Sequence, residues 1–386
     1  MVATNPLQID ITQDDLTAFQ GRGPAVVTFG ETLVRDTPCD SQRLERTGEV
    51  KISLAGSEYT LAAMISRLGI PSAYITRIPD NPYGWLVRDT ARSLGVITDH
   101  IVWAPKTEPI GRFLYELGRT PRKSAGWYQR MYSAASRLGA GMVDWKLALR
   151  DCQVLHASGI SFGLAYHSKY ESNHLLEAFE EALSSKPAGC SVGLDFNYRA
   201  TLWSRDQCRS ILTPLMTEHV DVLITTIEDM AAIYGLGCGQ WTAEQIDKGE
   251  MGTITDDDLR SFISQVGEMF KTRIVAVTIR YPDTFEQHRW ESAAMDTHGH
   301  FYRSPAVHPI VLLDRLGGGD TWNGGFYYGL LTAGFEARGL EKGVLVGDAA
   351  TRLKQTLMFD LPIVTKSEVR DLMREDVAGG GKRVSR

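Results

Sequence analysis

VLLDRLGGGDTWNGGFYYGLLTAG, from Val311 to Gly334, decides how the chain is read. Its apolar opening reads as a buried-type strand. Three glycines, Gly317, Gly318 and Gly319, follow, then Asp320, then a helix whose Gly324 and Gly325 permit close packing against neighbouring backbone. Such a junction aims free backbone N–H groups at one point, where the helix dipole also favours negative charge. The stretch is therefore an anion site, although not a G-x-x-x-x-G-K-[ST] loop, which the chain lacks. Two readings of Asp320 stand open. It can be the helix N-cap. Alternatively, because a carboxylate just past an anion site would repel a ligand that was merely bound, it can accept the proton of a hydroxyl attacking a phosphoryl group.

Outward from this stretch, short Val- and Ile-rich runs alternate with segments of helical spacing, the pattern of β-α units feeding a mostly parallel sheet. Strands are expected at AVVTFGE, AYITRIP, CQVLHASGI, CSVGLDF, VDVLITT and RIVAVTI, and helices at Glu58–Leu68, Gly84–Leu94, Tyr170–Leu183 and Asp257–Phe270. Asp256, Asp257 and Asp258 behind Thr255 suit the positive end of a helix dipole better than a metal cluster. Arg43–Leu54 and Gly111–Tyr132 alternate polar and apolar residues and predict a small accessory sheet covered on one face. Gly237–Thr253 reads as a surface insertion, residues 1–22 as an extension, and 377–386 as a loose tail.

The chain has 386 residues, 41 basic and 47 acidic, for a formal charge of −6 without the basic stripe that nucleic-acid binding needs. Cys39, Cys152, Cys190, Cys208 and Cys238 show no C-x-x-C spacing, which argues against a zinc site or a redox pair and fits a reducing cytoplasm. Asp10, Asp14 and Asp15 occupy the place where a signal peptide would be basic and apolar, and no run approaches a membrane span.

The segment from Asp314 to Asp320 resembles the C-terminal signature of the ribokinase (PfkB) sugar-kinase family, usually D-T-x-G-A-G-D. Its form here, D-R-x-G-G-G-D, is similar to that of the family's 2-keto-3-deoxygluconate kinases. In the family's order also stand TFGETLVRDTP, LAGSEYTLAAMISRLGI, IPDNPYG, GRFLYELG, GWYQRMYSA, DFNYRATLW and LKQT. The resemblance covers about Val26 to Met373. It implies a ribokinase-like three-layer α/β/α domain over residues 23–376, with a mostly parallel central sheet. A small β-sheet lid, from about 43–55 and 111–132, would close over the sugar and exclude water.

The same resemblance implies ATP-dependent phosphorylation of the terminal hydroxyl of a 2-keto-3-deoxy sugar acid. Asp320 would be the base and Gly317–Gly319 the anion hole. Gly56 would approach the sugar by its backbone, with Thr60, Tyr115, Tyr128, Arg130 and Arg199 in the sugar-acid pocket, where an arginine fork suits a planar carboxylate. Thr226 and Glu228, in TTIEDM, occupy the place of an N-x-x-E segment that orders magnesium and its waters, with Glu228 the metal residue. Thr278, Arg280 and Lys354 would edge the nucleotide site, and Gly347 and Ala350 would admit adenine. Four residues depart from the family pattern: Ser57 replaces alanine, Thr60 and Thr226 replace asparagine, and Gln129 replaces aspartate. The open edge and apolar face of a lid predict a homo-oligomer, a dimer through the lid.

Each residue also has an ordinary reading: aromatics at alternate spacing pack, arginines sit on the surface, and Thr followed by acids caps helices. Three other classes have a motif or a logic that bears on this chain. GISFG, Gly159–Gly163, fits the G-x-S-x-G of a hydrolase with Ser161 as nucleophile, but LAYHSKY launches no clear helix and no H-G-G-G element occurs. His298 and His300 in DTHGH read as exposed residues of a turn at Gly299 rather than a metal site. A regulatory sugar-binding protein that had lost the reaction would have shed the base or the anion loop, and both are present.

Overall fold

Alternating Val, Ile and Leu positions commit both faces of a strand to apolar contacts, and strands of that kind form the middle layer of the molecule. The protein, a computed structural model, is described over residues 9–282, 286–304 and 308–378. In chain order its strands begin with β1 (Val26–Phe29), β2 (Leu33–Pro38), β3 (Val50–Ala55), β4 (Ser72–Ile75), β5 (Arg77–Pro79) and β6 (Val102–Ala104). There follow β7 (Gly111–Glu116), β8 (Ala125–Gln129), β9 (Val154–Ser158), β10 (Ser191–Asp195) and β11 (Val222–Thr225). The last are β12 (Ile274–Pro282), β13 (Gln287–Asp296), β14 (Phe301–Arg303) and β15 (His308–Val311). The α-helices are α1 (Ser57–Arg67), α2 (Pro82–Ser93), α3 (Trp145–Ala148), α4 (Gly159–His167), α5 (His174–Ser185) and α6 (Arg205–His219). They continue with α7 (Ile227–Tyr234), α8 (Ala243–Asp247), α9 (Asp256–Phe270), α10 (Gly318–Ala333), α11 (Ala337–Gln355) and α12 (Lys366–Ala378).

The main sheet runs β14-β13-β12-β11-β10-β9-β1-β4, with β15 also on β13. Pairing is parallel from β4 to β12 and antiparallel around β13. Along the central strands Val27, Leu155, Val192, Leu223 and Val275 enter one apolar layer with α4, α5, α6 and α9. Their neighbours Val26, Val154, Val222 and Ile274 enter the other, with α1, α10, α11 and α12. This is the ribokinase-like three-layer arrangement that was expected. The parallel strands all point their C-terminal ends to one edge, where ligands of open α/β sheets bind.

A second sheet, β3-β2-β7-β8, forms the lid. Its makeup differs from expectation. Only Val50–Ala55 of the first stretch is a strand, since Leu44–Arg46 is a 3-10 turn. The missing strand is β2, which reads as a continuation of the opening strand because all six of its residues are buried and no alternation marks a covered face. Other expectations also shift. AYITRIP divides between two sheets as β4 and β5. The strand before the glycines is not of the buried type: β15 ends at Val311, which is 70% exposed. α4 begins directly at Gly159, so GISFG does enter a helix, yet Ser161 is wholly buried and its Oγ donates to Glu58 Oε1 at 2.8 Å.

The Asp256–Asp258 segment opens α9 behind Thr255 in a capping box, as the cap reading holds. Residues 9–22 do not hang free: Ile11 is wholly buried, and Asp14 bonds Lys342 Nζ at 2.7 Å and Tyr328 OH at 2.5 Å. Of the expected tail, residues 379–386 lie outside the described residues, and Val377 and Ala378 belong to α12. All five cysteines are unpaired. Among the described residues no helix is long and apolar enough to cross a membrane.

Candidate active site

Gly317 is the N-cap of α10, in the left-handed region at φ 76°, and a Cβ there would lie 2.2 Å from the Asp360 carbonyl oxygen. That crowding and that φ require glycine. Gly318 is hemmed in by the Gln355 side chain, while Gly319 faces open space, so crowding within the protein accounts for the first two glycines and not for the third. The first-turn amides that follow have no intrahelical acceptor and open at the helix's positive end. Lys354 Nζ donates to the carbonyl of Asp314 at 3.0 Å and to that of Leu316, fixing the loop from behind. Arg35 of β2 meets Asp314 at 2.6 Å and Asp360 at 2.7 Å, tying the lid's central strand to the same loop.

Two cavities meet at Asp320. The larger, about 440 Å³, is lined on one wall by Thr226, Glu228, Thr278 and Arg280 and on the other by Arg315 and Gly317–Asp320. The smaller, about 150 Å³, lies under the lid between Gly56, Ser57, Tyr128 and Arg130. Asn197, Arg199, Leu316, Gly317 and Asp320 border both. Ser57 Oγ donates to Asp320 Oδ1 at 2.6 Å. Burial raises the pKa of Asp320, while the Ser57 hydroxyl, Arg199 and Lys354 pull it back.

Around the junction several further carboxyls are held above their usual range. Asp195, at the end of β10, is pushed up to about 8 by burial and by Asp320, although Asn323 Nδ2 donates to its Oδ2 at 2.9 Å. Burial also raises Asp229 to about 6 and raises Glu228, which Arg280 partly offsets. Arg280 is exposed toward the cavity, and desolvation, then Arg315, lowers its pKa. Three arginines, Arg199, Arg280 and Arg315, thus surround the larger cavity, a charge pattern that suits a polyphosphate. Among the described residues no group of three or more His, Cys, Asp or Glu side chains could hold a metal ion. His300 Nδ1 pairs with Asp296 Oδ2 at 2.8 Å beside the β13–β14 turn, where Gly299 has φ 79°.

Most expected residues come together, but not all. Gly56 lines the smaller cavity, yet the space of its missing Cβ is filled by the Glu31 carbonyl oxygen at 2.6 Å, so the need for glycine is met by protein and not by a ligand. Tyr128 stacks on Phe113 with ring centroids 5.2 Å apart and lines the cavity. Arg130 is buried, its Nε donating to Glu31 Oε2 at 2.7 Å, and its Nη1 has no partner among the described residues. Arg199 is exposed and opens on both cavities. Thr226 caps α7, its Oγ1 accepting from Asp229 N at 3.0 Å, and also borders the larger cavity; its cap and site readings coexist.

Five expected residues border neither cavity. Thr60 is wholly buried inside α1. Tyr115 lies over Arg35, 4.6 Å from guanidinium carbon to ring centroid, on the wall of a separate cleft. Gly347 is a packing glycine, where a Cβ would meet Trp322 Nε1 at 2.9 Å. Ala350 is likewise sealed in the apolar layer, and Lys354 is wholly buried behind the loop. Sequence reading missed Asp195, Asn197, Glu31, Asn323 and Arg315. The DFN run ending a strand held a signal for the first two, and Arg315 lay within the quoted signature.

The profile of a family described as pfkB family carbohydrate kinase matches residues 24–249. A 2-dehydro-3-deoxygalactonokinase of Haloferax volcanii is 28% identical over 358 residues, 92% of this chain and 98% of the relative. The solved 2-dehydro-3-deoxygluconokinase of Thermotoga maritima superposes with a TM-score of 0.80 at 27% identity, over 90% of this chain and 99% of its own. A protein of E. coli assigned as a ribokinase II, solved in complex with ATP and Mg2+, shares the fold with a TM-score of 0.69 at 18% identity, over 91% of this chain and 99% of its own.

Proposed function

We propose that this chain, which belongs to the pfkB family of carbohydrate kinases and is a sugar kinase, transfers the γ-phosphoryl group of ATP to the terminal hydroxyl of 2-keto-3-deoxygluconate. The observation that carries the reading is a single carboxylate, Asp320, shared by a cation-lined cavity and a lid-covered cavity at the N-terminus of α10. In this scheme the larger cavity takes ATP, with Arg199, Arg280 and Arg315 facing its phosphates and the α10 amides receiving the transferring group. The smaller cavity takes the sugar acid. Asp320 accepts the hydroxyl proton as the new O–P bond forms, and the bond from the γ-phosphorus to ADP breaks.

Arg199 was expected beside Arg130 at the acid end. Its place at the junction instead suits charge on the transferring phosphoryl, which leaves Arg130 for the carboxylate, Glu31 fixing one edge of its guanidinium. Glu228 fits magnesium that keeps most of its water and takes its other ligands from phosphate: it lines the larger cavity together with Asp195, Asp229 and Asp320, yet among the described residues no group of three or more such side chains forms a protein cage. When bound, the metal would neutralise phosphate charge there. The name of the Haloferax relative favours a second reading, in which the galactonate epimer is the substrate. We place the reaction in the cytoplasm and assign the active form as a dimer through the lid.

A coupled ADP-release assay over both epimers, neutral ketoses and aldoses tests the substrate class; preference for a neutral sugar overturns it. Asp320→Asn should reduce kcat by about 10²–10⁴-fold with sugar affinity largely kept. Unchanged turnover would remove Asp320 as the base.

A further inference from the structure

The resemblance places alanine at position 57, where this chain has serine. As the first residue of α1, Ser57 is not the cap, which is Gly56, and it makes no capping bond. Among the described residues its hydroxyl makes one hydrogen bond, the 2.6 Å bond to Asp320 Oδ1, across 263 positions of sequence. It is 8% exposed and its side chain borders the acceptor cavity. Neither helix formation nor core packing accounts for a hydroxyl at this point. Oδ2 of Asp320 has no partner among the described residues, so one carboxylate oxygen is anchored and the other is available.

We infer that Ser57 is a positioning residue for phosphoryl transfer: its hydroxyl anchors Asp320 through Oδ1, stabilises the charged carboxylate, and leaves Oδ2 to take the proton of the substrate hydroxyl. The inference rests on Asp320 as base, the reading given above. It answers a physical need of the site. Burial drives Asp320 toward its neutral form, which cannot act as a base, and a donor to the carboxylate opposes that drive. Arg199 from the loop after β10 and Lys354 from α11 act in the same sense, while Asp195 from β10 is the facing acid. Glu31, Glu58, Arg130 and Asp360 border the acceptor cavity on its other walls. Of the groups named as acting on Asp320, Ser57 alone is both hydrogen-bonded to it and neutral, so its removal changes no formal charge.

The test is the pH dependence of kcat/KM with ATP and 2-keto-3-deoxygluconate for the parent, Ser57→Ala, and the isosteric pair Ser57→Thr and Ser57→Val, with Asp320→Asn as control. Activity that needs ionised Asp320 falls as pH drops through its pKa, and removing the donor raises that pKa. The acid limb should therefore move up by about one pH unit in S57A and S57V and hold its parent position in S57T. A limb that stays put in S57A and S57V while D320N is inactive overturns the role of Ser57 alone. Should D320N keep its turnover, the base assignment fails first. If S57A does not fold, the Thr and Val pair, equal in shape and differing in the hydroxyl, decides by the same criterion.

Discussion

Gly56 stands where the backbone of α1 meets the Glu31 carbonyl under the lid. Its place by the lid-covered cavity agrees with a role near the sugar, but the atom that forbids a side chain is the Glu31 carbonyl oxygen. Gly56→Ala should therefore cost stability first, about 1–3 kcal/mol from overpacking against backbone that cannot step aside. Urea unfolding checks this, with a lowered midpoint and an unchanged slope expected; full stability with weakened sugar binding would restore the ligand explanation. The glycine run and Asp320 were legible because few arrangements explain three glycines and an acid at a helix start. Thr60, Tyr115, Gly347, Ala350 and Lys354 were not, because spacing tells that a residue lies on a helix or strand but not which neighbour its face meets. Lys354 is the sharpest case: a cation near phosphates by sequence order, it spends its donors on the carbonyls of Asp314 and Leu316.

Among elements, α1 is bound at its first turn to the end of β9 and the start of α4. Glu58 turns inward, and its Oε1 accepts from Ser158 N at 2.9 Å, Ser158 Oγ at 2.7 Å and Ser161 Oγ at 2.8 Å. Gly30 leaves room for that carboxyl, since a Cβ there would lie 2.3 Å from it. Burial raises its pKa from 4.5 to about 7, against the three donors. The folded protein thus keeps a proton that the unfolded chain loses near pH 4.5, and stability falls as pH rises from there to about 7 and levels off above. Glu58→Gln removes this slope while keeping an acceptor oxygen for the donors. Its stability relative to the parent should climb by about 3 kcal/mol across that interval, read from denaturant unfolding at several pH values. A difference independent of pH would mean that Glu58 is charged in the fold throughout. The helices and central strands were legible from apolar spacing. β2 was not, for a strand buried on both faces next to another such strand carries no alternation to separate them.

At the scale of the molecule, the lid has two faces set by strand register. Arg35, Phe113 and Tyr128 pair across β2, β7 and β8 and share the inner face, where Tyr128 lines the smaller cavity. One residue along, Ile52, Asp36, Leu114 and Trp127 form a row across all four strands on the opposite face. Ile52 is 50% and Trp127 48% exposed, and Val50, also outward, is exposed beside Ile52. The exposed apolar side chains Val50 and Ile52 on β3 and Trp127 on β8 flank the buried Asp36 of β2 and suit an association surface, and a sheet with edge strands β3 and β8 can extend by pairing with another. The partner proposed is a second copy, which would cover this face while each inner face closes on its own sugar. The Arg35 bridge to Asp314 and Asp360 would then link dimer formation to the loop before Asp320. Ile52→Lys with Trp127→Lys should convert a dimer into monomers in sedimentation velocity with the far-UV spectrum unchanged. The monomer should also show a raised KM for the sugar acid more than for ATP, because the lid borders the smaller cavity. A parent chain that sediments as a monomer at high concentration removes the lid dimer. A double variant that stays dimeric moves the interface elsewhere.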